Sequence, residues 1–341
     1  MPTESEIISL IRRRVRTSGD VLTGIGDDAA VIKGSADKDL LACCDLMVEG
    51  VHFQIDWTPP RLLGRKALAI NLSDIAAMGG VSKFAMISVA LPDRCSEEFI
   101  AEFFEGVFEM AEEQGVSIIG GDTSSSREWM FVDISLIGEC DAGCAVTRAG
   151  AKPGDVIYVS GSLGGSALGL KLLGDGVRLS ELGEADDDRR TALLKHLSPQ
   201  PQTTLGRAIG EARLATAMID ISDGLSTDLW HILEESNCGA IIHADAIPIS
   251  ASVRGLMSAA ESTPRKPAAC DTSLGLALSG GEEYELLFTA NPASSIQIEK
   301  LKKSLGLAIT AIGQIDEGEG LRLEQEGTLS PLAPSGYEHL I

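Results

Sequence analysis

Aspartates set among glycines and branched apolar residues restrict this chain more than any other feature of its sequence. Five segments carry them: Gly24-Ile-Gly-Asp-Asp28, Cys43-Cys-Asp45, Asn71-Leu-Ser-Asp74, Gly120-Gly-Asp-Thr123 and Ile219-Asp-Ile-Ser-Asp-Gly224. A carboxylate in such surroundings is expensive to bury unless a cation or hydrogen-bond donors accompany it. Several carboxylates brought together also repel one another. Taken singly, each segment serves equally well as a turn or a helix N-cap, and Asp223-Gly224 suits that role. Taken together, they imply a fold that gathers strand and helix ends around a hard divalent ion. Mg²⁺ prefers oxygen ligands of this kind, and a shared Mg²⁺ site neutralises phosphates.

The charge balance agrees with that direction. A formal net charge of -22 disfavours nucleic acid and anionic membrane as partners, because both need a basic surface. It leaves room for phosphate ligands bridged by metal, and most of the 50 acidic residues are expected to be solvated surface. The 341 residues suffice for about two domains. With aromatics at only 4% and 37 glycines, a core of Ala, Ile, Leu and Val points to α/β or α+β layers. The seven cysteines (43, 44, 95, 140, 144, 238 and 270) include no CxxC pair. Reduced thiols in a cytoplasmic protein follow as the expectation. The start, MPTESEIISLIRRRV, lacks the order of a signal peptide, and no apolar run is long enough for a membrane span.

Periodicity places these segments on elements. Thr3 and Glu6 form a capping box ahead of Ile7, Ile8, Ile11 and Val15 at helical spacing. Strands are expected at 29–32, 40–44, 84–91, 116–119 and 129–137. Pro59-Pro60 opens a helix to about Met78, where Gly79-Gly80 stops it. A long amphipathic helix follows from Ser96 to Gln114, ended by Gly115. The turn-rich run from Arg148 to Asp155 marks a boundary, giving domains 1–148 and 149–341. In the second domain, strands are expected at 156–160, 216–221, 240–243, 284–289 and 308–315, with helices at 166–173 and 225–236. Residues 174–190 are polar and read as a mobile excursion, and 260–272 as a surface loop.

Two glycine turns add possible ligand contacts. Val159-Ser-Gly-Ser-Leu-Gly-Gly165, between a strand and a helix, can offer backbone N–H groups to an anion. In Ser279-Gly-Gly-Glu-Glu-Tyr284, carboxylates can meet a cationic or hydrogen-bonding ligand. Tight packing and a strand-entry turn are the plainer roles for these two segments. There is no GxxxxGK[ST], no protein-kinase motif set and no HExxH. Thr123 to Ser126 has no partner histidine pattern for a catalytic triad. His52, soon after Asp45, suits a ligand contact and a buried structural role equally.

In order along the chain, five motifs resemble the thiamine-monophosphate kinase family. They are Gly24-Ile-Gly-Asp-Asp-Ala, Lys66-Ala-Leu-Ala-Ile-Asn-Leu-Ser-Asp-Ile-Ala-Ala-Met-Gly79, Gly120-Gly-Asp-Thr123, Ile219-Asp-Ile-Ser-Asp-Gly-Leu225 and Leu278-Ser-Gly-Gly-Glu-Glu-Tyr-Glu-Leu286. The resemblance implies a two-domain α/β protomer of the aminoimidazole ribonucleotide synthetase type. N-terminal strands would complete a shared barrel in a homodimer. It implies ATP- and Mg²⁺-dependent phosphorylation of thiamine monophosphate to thiamine diphosphate by direct in-line transfer. By position in the motifs, Asp28, Cys43, Cys44, Asp45, Asp74, Asp122, Asp220 and Asp223 match metal-site residues, with Asp74, Asp122 and Asp220 the catalytic ones. Gly121, Asp122, Arg148 and Ser222 match nucleotide contacts, and His52, Glu282 and Tyr337 match substrate contacts. Where the family commonly has Ser or Thr, this chain has Cys43 and Cys44. A neutral thiol is a poor Mg²⁺ ligand, so coordination there would fall to backbone carbonyls or be weaker.

Other enzymes of the superfamily share the architecture. Selenophosphate synthetases carry a reactive N-terminal Cys or selenocysteine, whereas the first cysteine here is Cys43 in an expected strand. The hydrogenase-maturation relatives need a C-terminal Cys, and this sequence closes on Glu-His-Leu-Ile. A non-catalytic sensor of Mg-nucleotide or thiamine phosphate is the alternative from another class. The full set of aspartates argues against it, since a pure binder need not keep them.

Overall fold

The computed structural model of the chain describes residues 13–15, 19, 21–23, 31–32, 34–261 and 272–337. The capping box of Thr3 and Glu6, the segment from Gly24 to Asp28 and most of the loop expected at 260–272 lie outside the described residues. The chain divides into two compact units, Met1–Ala76 with Gly80–Ala145, and Ala77–Gly79 with Val146–Ile341.

In the first unit, β1 (Val21–Thr23) pairs antiparallel with β2 (Val31–Ile32). Then come β3 (Lys38–Val48), helix α1 (Pro60–Ala77), β4 (Val81–Pro92), helix α2 (Glu97–Gln114), β5 (Ser117–Ser126) and β6 (Phe131–Asp141). Four strands form one sheet in the order β3-β6-β4-β5. Only β4 and β5 are parallel in it, as a crossover through α2 requires.

Helix α1 starts at the Pro59-Pro60 pair and ends where Gly79 turns into the left-handed region (φ +73°) and Gly80 N–H bonds the Ile75 carbonyl at 3.0 Å. Leu63, Leu68, Leu72 and Ile75 are buried, but so are Lys66, Asn71 and Ser73 on other sides of the helix. A helix covered nearly all round has no single apolar stripe. Helix α2 has one, formed by Ile100, Phe103, Phe104, Val107, Phe108 and Ala111. Ser96 caps its start by accepting the Phe99 N–H at 3.1 Å, and Gly115 (φ +67°) ends it. Gly64 and Gly106 let the two helix backbones touch. A Cβ at 106 would collide with the Arg61 carbonyl, and one at 64 with that of Phe103. Arg65 pairs with Glu113 at 2.7 Å across the same contact. An ion pair at the surface contributes little, so the glycines decide how closely the helices approach.

Several elements differ from the sequence reading. The strand expected at 40–44 runs over Lys38–Val48, which places Asp45 inside a strand rather than at its end. Alternation then sends Cys43 and Asp45 to one face and Cys44 to the other. The strand expected at 116–119 continues through Gly121 and Asp122 to Ser126, across a bulge that lets Asp122 pair with Ser88.

In the second unit, the strands are β7 (Val156–Ser160), β8 (Ala217–Asp220), β9 (Gly239–His243), β10 (Leu286–Ala290), β11 (Ile309–Asp316), β12 (Leu321–Gln325) and β13 (Thr328–Pro331). The helices are α3 (Gly165–Gly174), α4 (Asp187–Leu197), α5 (Thr203–Glu211), α6 (Leu225–Ser236), α7 (Ala251–Glu261), α8 (Ser273–Ser279) and α9 (Ser295–Leu305). The strands make one sheet in the order β13-β12-β9-β11-β7-β10-β8. One face packs Ile157, Val159 and Leu287 against Leu225, Leu229 and Ile232 of α6. The other packs Tyr158, Met218 and Phe288 with Leu205 and Ile209 of α5 and Ile298 of α9. Cover on both faces explains why β7, β8 and β10 read as unbroken apolar runs.

The segment 174–190, read as a mobile excursion, holds a short 3₁₀ turn at Leu179–Glu181 and the start of α4. Arg178 closes it by donating to the carbonyls of Leu173 (2.8 Å) and Val177 (3.0 Å). The strand expected at 284–289 begins only at Leu286, because Tyr284 takes a left-handed conformation (φ +50°).

The α1–α2 contact yields a direct test. Gly106→Ala should lower unfolding stability by about 2–3 kcal/mol through overpacking against backbone that cannot yield. Urea denaturation measures it, and a loss below about 0.5 kcal/mol would mean that the helices are free to separate.

Candidate functional site

The first unit places one carboxylate pair where the sequence reading expected metal ligands. Asp45 on β3 and Asp74 on α1 share a hydrogen bond between their carboxyl groups. Such a bond needs a proton between two groups that would otherwise both be anions. Burial pushes Asp45 above the ordinary carboxylate range, the Asp74 bond opposes that, and the Asp133 charge adds to the rise. Asn71, one turn before Asp74 on α1, fixes the arrangement. Its Oδ1 accepts from Asp45 N–H at 3.1 Å, and its Nδ2 donates to the Ala67 carbonyl at 3.2 Å.

The cysteines are engaged separately. Cys43 Sγ lies 3.5 Å from the Asn71 carbonyl oxygen, and Cys44 Sγ lies 3.0 Å from Asp133 Oδ2. The bond to Asp133, with burial, raises the Cys44 thiol above its ordinary pKa and keeps it neutral. Two thiols on opposite faces cannot serve one hard ion through sulfur. Asp122 is exposed, with its Oδ1 accepting the Thr123 N–H at 2.9 Å. It stands outside the Asp45–Asp74 bond, but register aligns Asp133, Ser88 and Asp122 across β6, β4 and β5. Gly121 precedes it on β5, opposite Ile87. His52 accepts the Val48 N–H on Nδ1 at 3.0 Å, which makes Nε2 the protonated nitrogen and ties the ring to the turn after β3.

The second unit joins three segments that are far apart in sequence. Asp220 ends β8, and Ser222 and Asp223 form the turn into α6. Glu282 N–H donates to the Ser222 carbonyl at 2.7 Å, and Tyr337 N–H to the Asp223 carbonyl at 3.0 Å. Gly336 permits the second approach, since a Cβ there would strike the Asp223 carbonyl. Asp220, Ser222, Asp223, Glu282 and Tyr337 are thus brought together by short backbone bonds. Tyr337 remains half exposed. Arg148 is exposed on the loop before β7, with its carbonyl held by Ser236 Oγ at 3.1 Å.

Several residues of this region escaped the sequence reading. Asp228, buried one turn into α6, accepts the N–H groups of Asp223 (3.2 Å) and Gly224 (3.0 Å). Burial first, then the charges of Asp220 and Asp223, push its carboxyl up to about 8. Its signal was present, as an Asp among Leu residues just past a glycine turn. The glycine turn before α3 does meet an anion, and the anion is the protein's own. Glu283 Oε1 accepts the Ser166 N–H at 3.0 Å at the start of α3. Behind the same turn, Lys195 Nζ donates to Glu285 Oε1 at 2.5 Å, and Ser160 Oγ to Glu285 Oε2 at 2.6 Å. Burial pulls the Lys195 ammonium down, but Glu285 and Glu283 hold it above its ordinary value. A lysine in the last turn of a helix is common for dipole reasons alone, so nothing in the sequence singled out Lys195.

Among the described residues, no three His, Cys, Asp or Glu side chains converge closely enough to hold a metal by themselves. The donor chemistry nonetheless fits Mg²⁺. The oxygens are hard, and a divalent ion between Asp45 and Asp74 would remove the repulsion of two adjacent carboxylates. Phosphate oxygens and water would complete the octahedron.

Comparison with known proteins fits both units. Residues 26–140 match the AIR synthase related protein, N-terminal domain, and residues 152–326 match its C-terminal domain. The chain is 37% identical over 336 residues to the thiamine-monophosphate kinase of Salmonella typhimurium, covering 97% of each. It is similar to the crystal structure of thiamine-monophosphate kinase from Stenotrophomonas maltophilia, with a TM-score of 0.83, 36% identity and coverage of 94% and 96%. It is also similar to AaThiL complexed with AMPPCP and TMP, with a TM-score of 0.76, 31% identity and coverage of 100% and 99%.

Glu283 supplies a pH test. Burial raises its carboxyl from 4.5 to about 7, against the opposing pull of Lys195 and the Ser166 N–H. The folded chain therefore binds more protons than the unfolded chain between those values. Stability attributable to this group falls as pH rises through that window and stays lowered above it. Glu283→Gln, which cannot ionise, should gain on the wild type by on the order of 2 kcal/mol between about pH 5 and about pH 8. Urea denaturation at both pH values measures the gap. A constant gap would mean that Glu283 is ionised throughout.

Proposed function

The chain belongs to the AIR synthase related proteins and, among them, to the thiamine-monophosphate kinase family, and from that premise we propose that it transfers the γ-phosphate of ATP to thiamine monophosphate, forming thiamine diphosphate and ADP. The observation that carries the reading is the joining of 220–224, 281–285 and 335–337 into one acidic surface bearing a half-exposed tyrosine. A flat cationic ring is suited to an aromatic face beside carboxylates. A similar chain that carries AMPPCP and TMP supports both substrates.

Asp45, Asp74, Asp122, Asp220 and Asp223 would hold Mg²⁺, together with Asp28. Bound Mg²⁺ would neutralise the phosphate charge that accumulates during transfer. Cys43 and Cys44 would take part only through their carbonyls. Asn71 keeps Asp45 aimed at Asp74, and Asp228 keeps the Asp223–Gly224 backbone in place. Gly121, Asp122, Arg148 and Ser222 would meet the nucleotide, and His52, Glu282 and Tyr337 the acceptor.

The attacking oxygen belongs to the acceptor phosphate and is already ionised near neutral pH. A bond forms from that oxygen to the γ-phosphorus as the bond to the β,γ-bridging oxygen breaks. No strong general base is needed, and the His52 bond to Val48 suits a positioning contact. Direct transfer leaves no phosphorylated enzyme.

The outer face of the first unit's sheet exposes Leu40, Leu46 and Met86. Apolar side chains on a strand surface favour pairing with a second copy, which supports the homodimer with a shared barrel. Among the described residues no helix is long and apolar enough to cross a membrane. Cys43, Cys44, Cys95, Cys140, Cys144 and Cys238 are free thiols. Both features support a cytoplasmic location.

Purified protein given MgATP and thiamine monophosphate should yield thiamine diphosphate and ADP in equal amounts by chromatography. Asp74→Asn should cut kcat by at least about 100-fold while leaving the melting temperature within a few degrees. Absence of thiamine diphosphate with the wild type would reject the proposed reaction. Near-normal turnover by folded Asp74→Asn would reject the role given to that carboxylate.

A further inference from the structure

The turn carrying Glu282 is strained and over-determined. Glu282 (φ +59°) and Tyr284 (φ +50°) both lie in the left-handed region without being glycine. Each such residue is strained and persists only where its surroundings enforce it. Here the enforcement is dense. Glu282 N–H bonds the Ser222 carbonyl at 2.7 Å, and Tyr284 N–H bonds that of Ile221 at 2.8 Å. Glu283 is tied to the start of α3, and Glu285 to Lys195 and Ser160. These contacts fix the backbone, but none of them touches the Glu282 carboxylate.

That carboxylate has a partner of its own. His196 Nδ1 lies 3.2 Å from Glu282 Oε2 and 3.2 Å from Ser166 Oγ. His196 follows Lys195 on the last turn of α4 and is only 4% exposed, while the Glu282 side chain is 24% exposed. Two successive residues of one helix therefore reach the same turn, Lys195 on its buried glutamates and His196 on its accessible one. The Nδ1 of His196 thus faces both Ser166 and Glu282.

We infer that His196 is a positioning residue for the phosphoryl acceptor: its Nδ1 fixes the Glu282 carboxylate so that the accessible oxygen stands ready for the cationic end of the substrate. The inference rests on the proposal above that Glu282 meets the acceptor. With Nδ1 protonated, its single N–H is shared between Glu282 Oε2 and Ser166 Oγ, both of which accept. Glu282 then spends no rotamer freedom when the substrate arrives, and that saving should appear in acceptor binding. The nucleotide, which Glu282 does not meet, should be unaffected.

The test is steady-state kinetics on His196→Ala, His196→Asn, Glu282→Gln and the His196→Ala/Glu282→Gln double variant, with melting curves for each. His196→Ala should raise the KM for thiamine monophosphate about tenfold, with kcat and the KM for ATP within about twofold. His196→Asn places an amide N–H where Nδ1 stood and should recover KM to within about threefold of the wild type. The double variant should be no worse than Glu282→Gln alone, because both changes remove one interaction. If the alanine variant fails to fold, His196→Gln, whose amide reaches the Nε2 position instead, takes its place with the same expected loss.

An unchanged acceptor KM in folded His196→Ala, with Glu282→Gln impaired, would overturn the positioning role and leave the proposed reaction standing. Additive losses in the double variant, or equal rises in both KM values, would overturn it too. An active Glu282→Gln with unchanged acceptor KM would remove the acceptor contact and the inference with it. A wild type that makes no thiamine diphosphate would instead defeat the functional reading from which the inference starts.

Discussion

A carboxylate buried beside another carboxylate is disfavoured twice, by lost hydration and by repulsion. This chain meets that situation repeatedly and resolves it in different ways. Glu285 is answered by Lys195 and Ser160. Glu283 is answered by the N–H groups that open α3, where the helix dipole favours negative charge. Asp228 takes two backbone donors and is still driven up to about 8. Asp45 meets Asp74, and burial still pushes it above the ordinary carboxylate range. The first solution is complete within the protein, whereas Glu283 keeps one buried oxygen without a hydrogen-bond partner among the described residues and is driven up to about 7. Asp45 and Asp74 belong to the motifs expected to hold Mg²⁺, and Asp228 lies just past another of them.

The buried glutamates have a consequence for the site. Glu283, Tyr284 and Glu285 are all buried, so anchoring them in the interior leaves Glu282 as the one residue of the four that reaches the accessible side. The left-handed conformation of Glu282 and Tyr284 is the local strain that this arrangement retains. The same turn receives the Ser222 carbonyl, and the Asp223 carbonyl receives Tyr337 from the other end of the unit. A charge network buried behind the surface thereby holds in register three segments that sequence separates by many residues.

Much of this was legible in the sequence, and the reasons differ by residue. Ser96 and Gly115 announced the ends of α2 because capping chemistry is local. Asp45 and Asp74 stood out with the other acidic segments because carboxylates in apolar contexts are costly, but that these two meet was not legible. The glycine turn before α3 was correctly read as an anion acceptor, yet sequence could not say that Glu283, more than a hundred residues later, would supply the anion. Asp133 and Asn71 were missed because their partners come from strand register and helix packing, which no local pattern specifies. His196 carried no signal at all, as a polar residue at the end of a short helix. The length of β3 was underestimated because Asp45 breaks the apolar pattern inside a strand that continues past it.

We propose that the aspartates of the acidic motifs await a divalent ion that arrives with nucleotide. The direct measurement is the melting temperature of the purified protein with a non-hydrolysable ATP analogue, in Mg²⁺ and in EDTA. Ligand that binds only the folded chain stabilises it by mass action. The account predicts that the analogue raises the melting temperature in Mg²⁺ and leaves it unchanged in EDTA. An equal rise in EDTA would contradict the account, because nucleotide phosphates would then be binding without the ion that the carboxylates require.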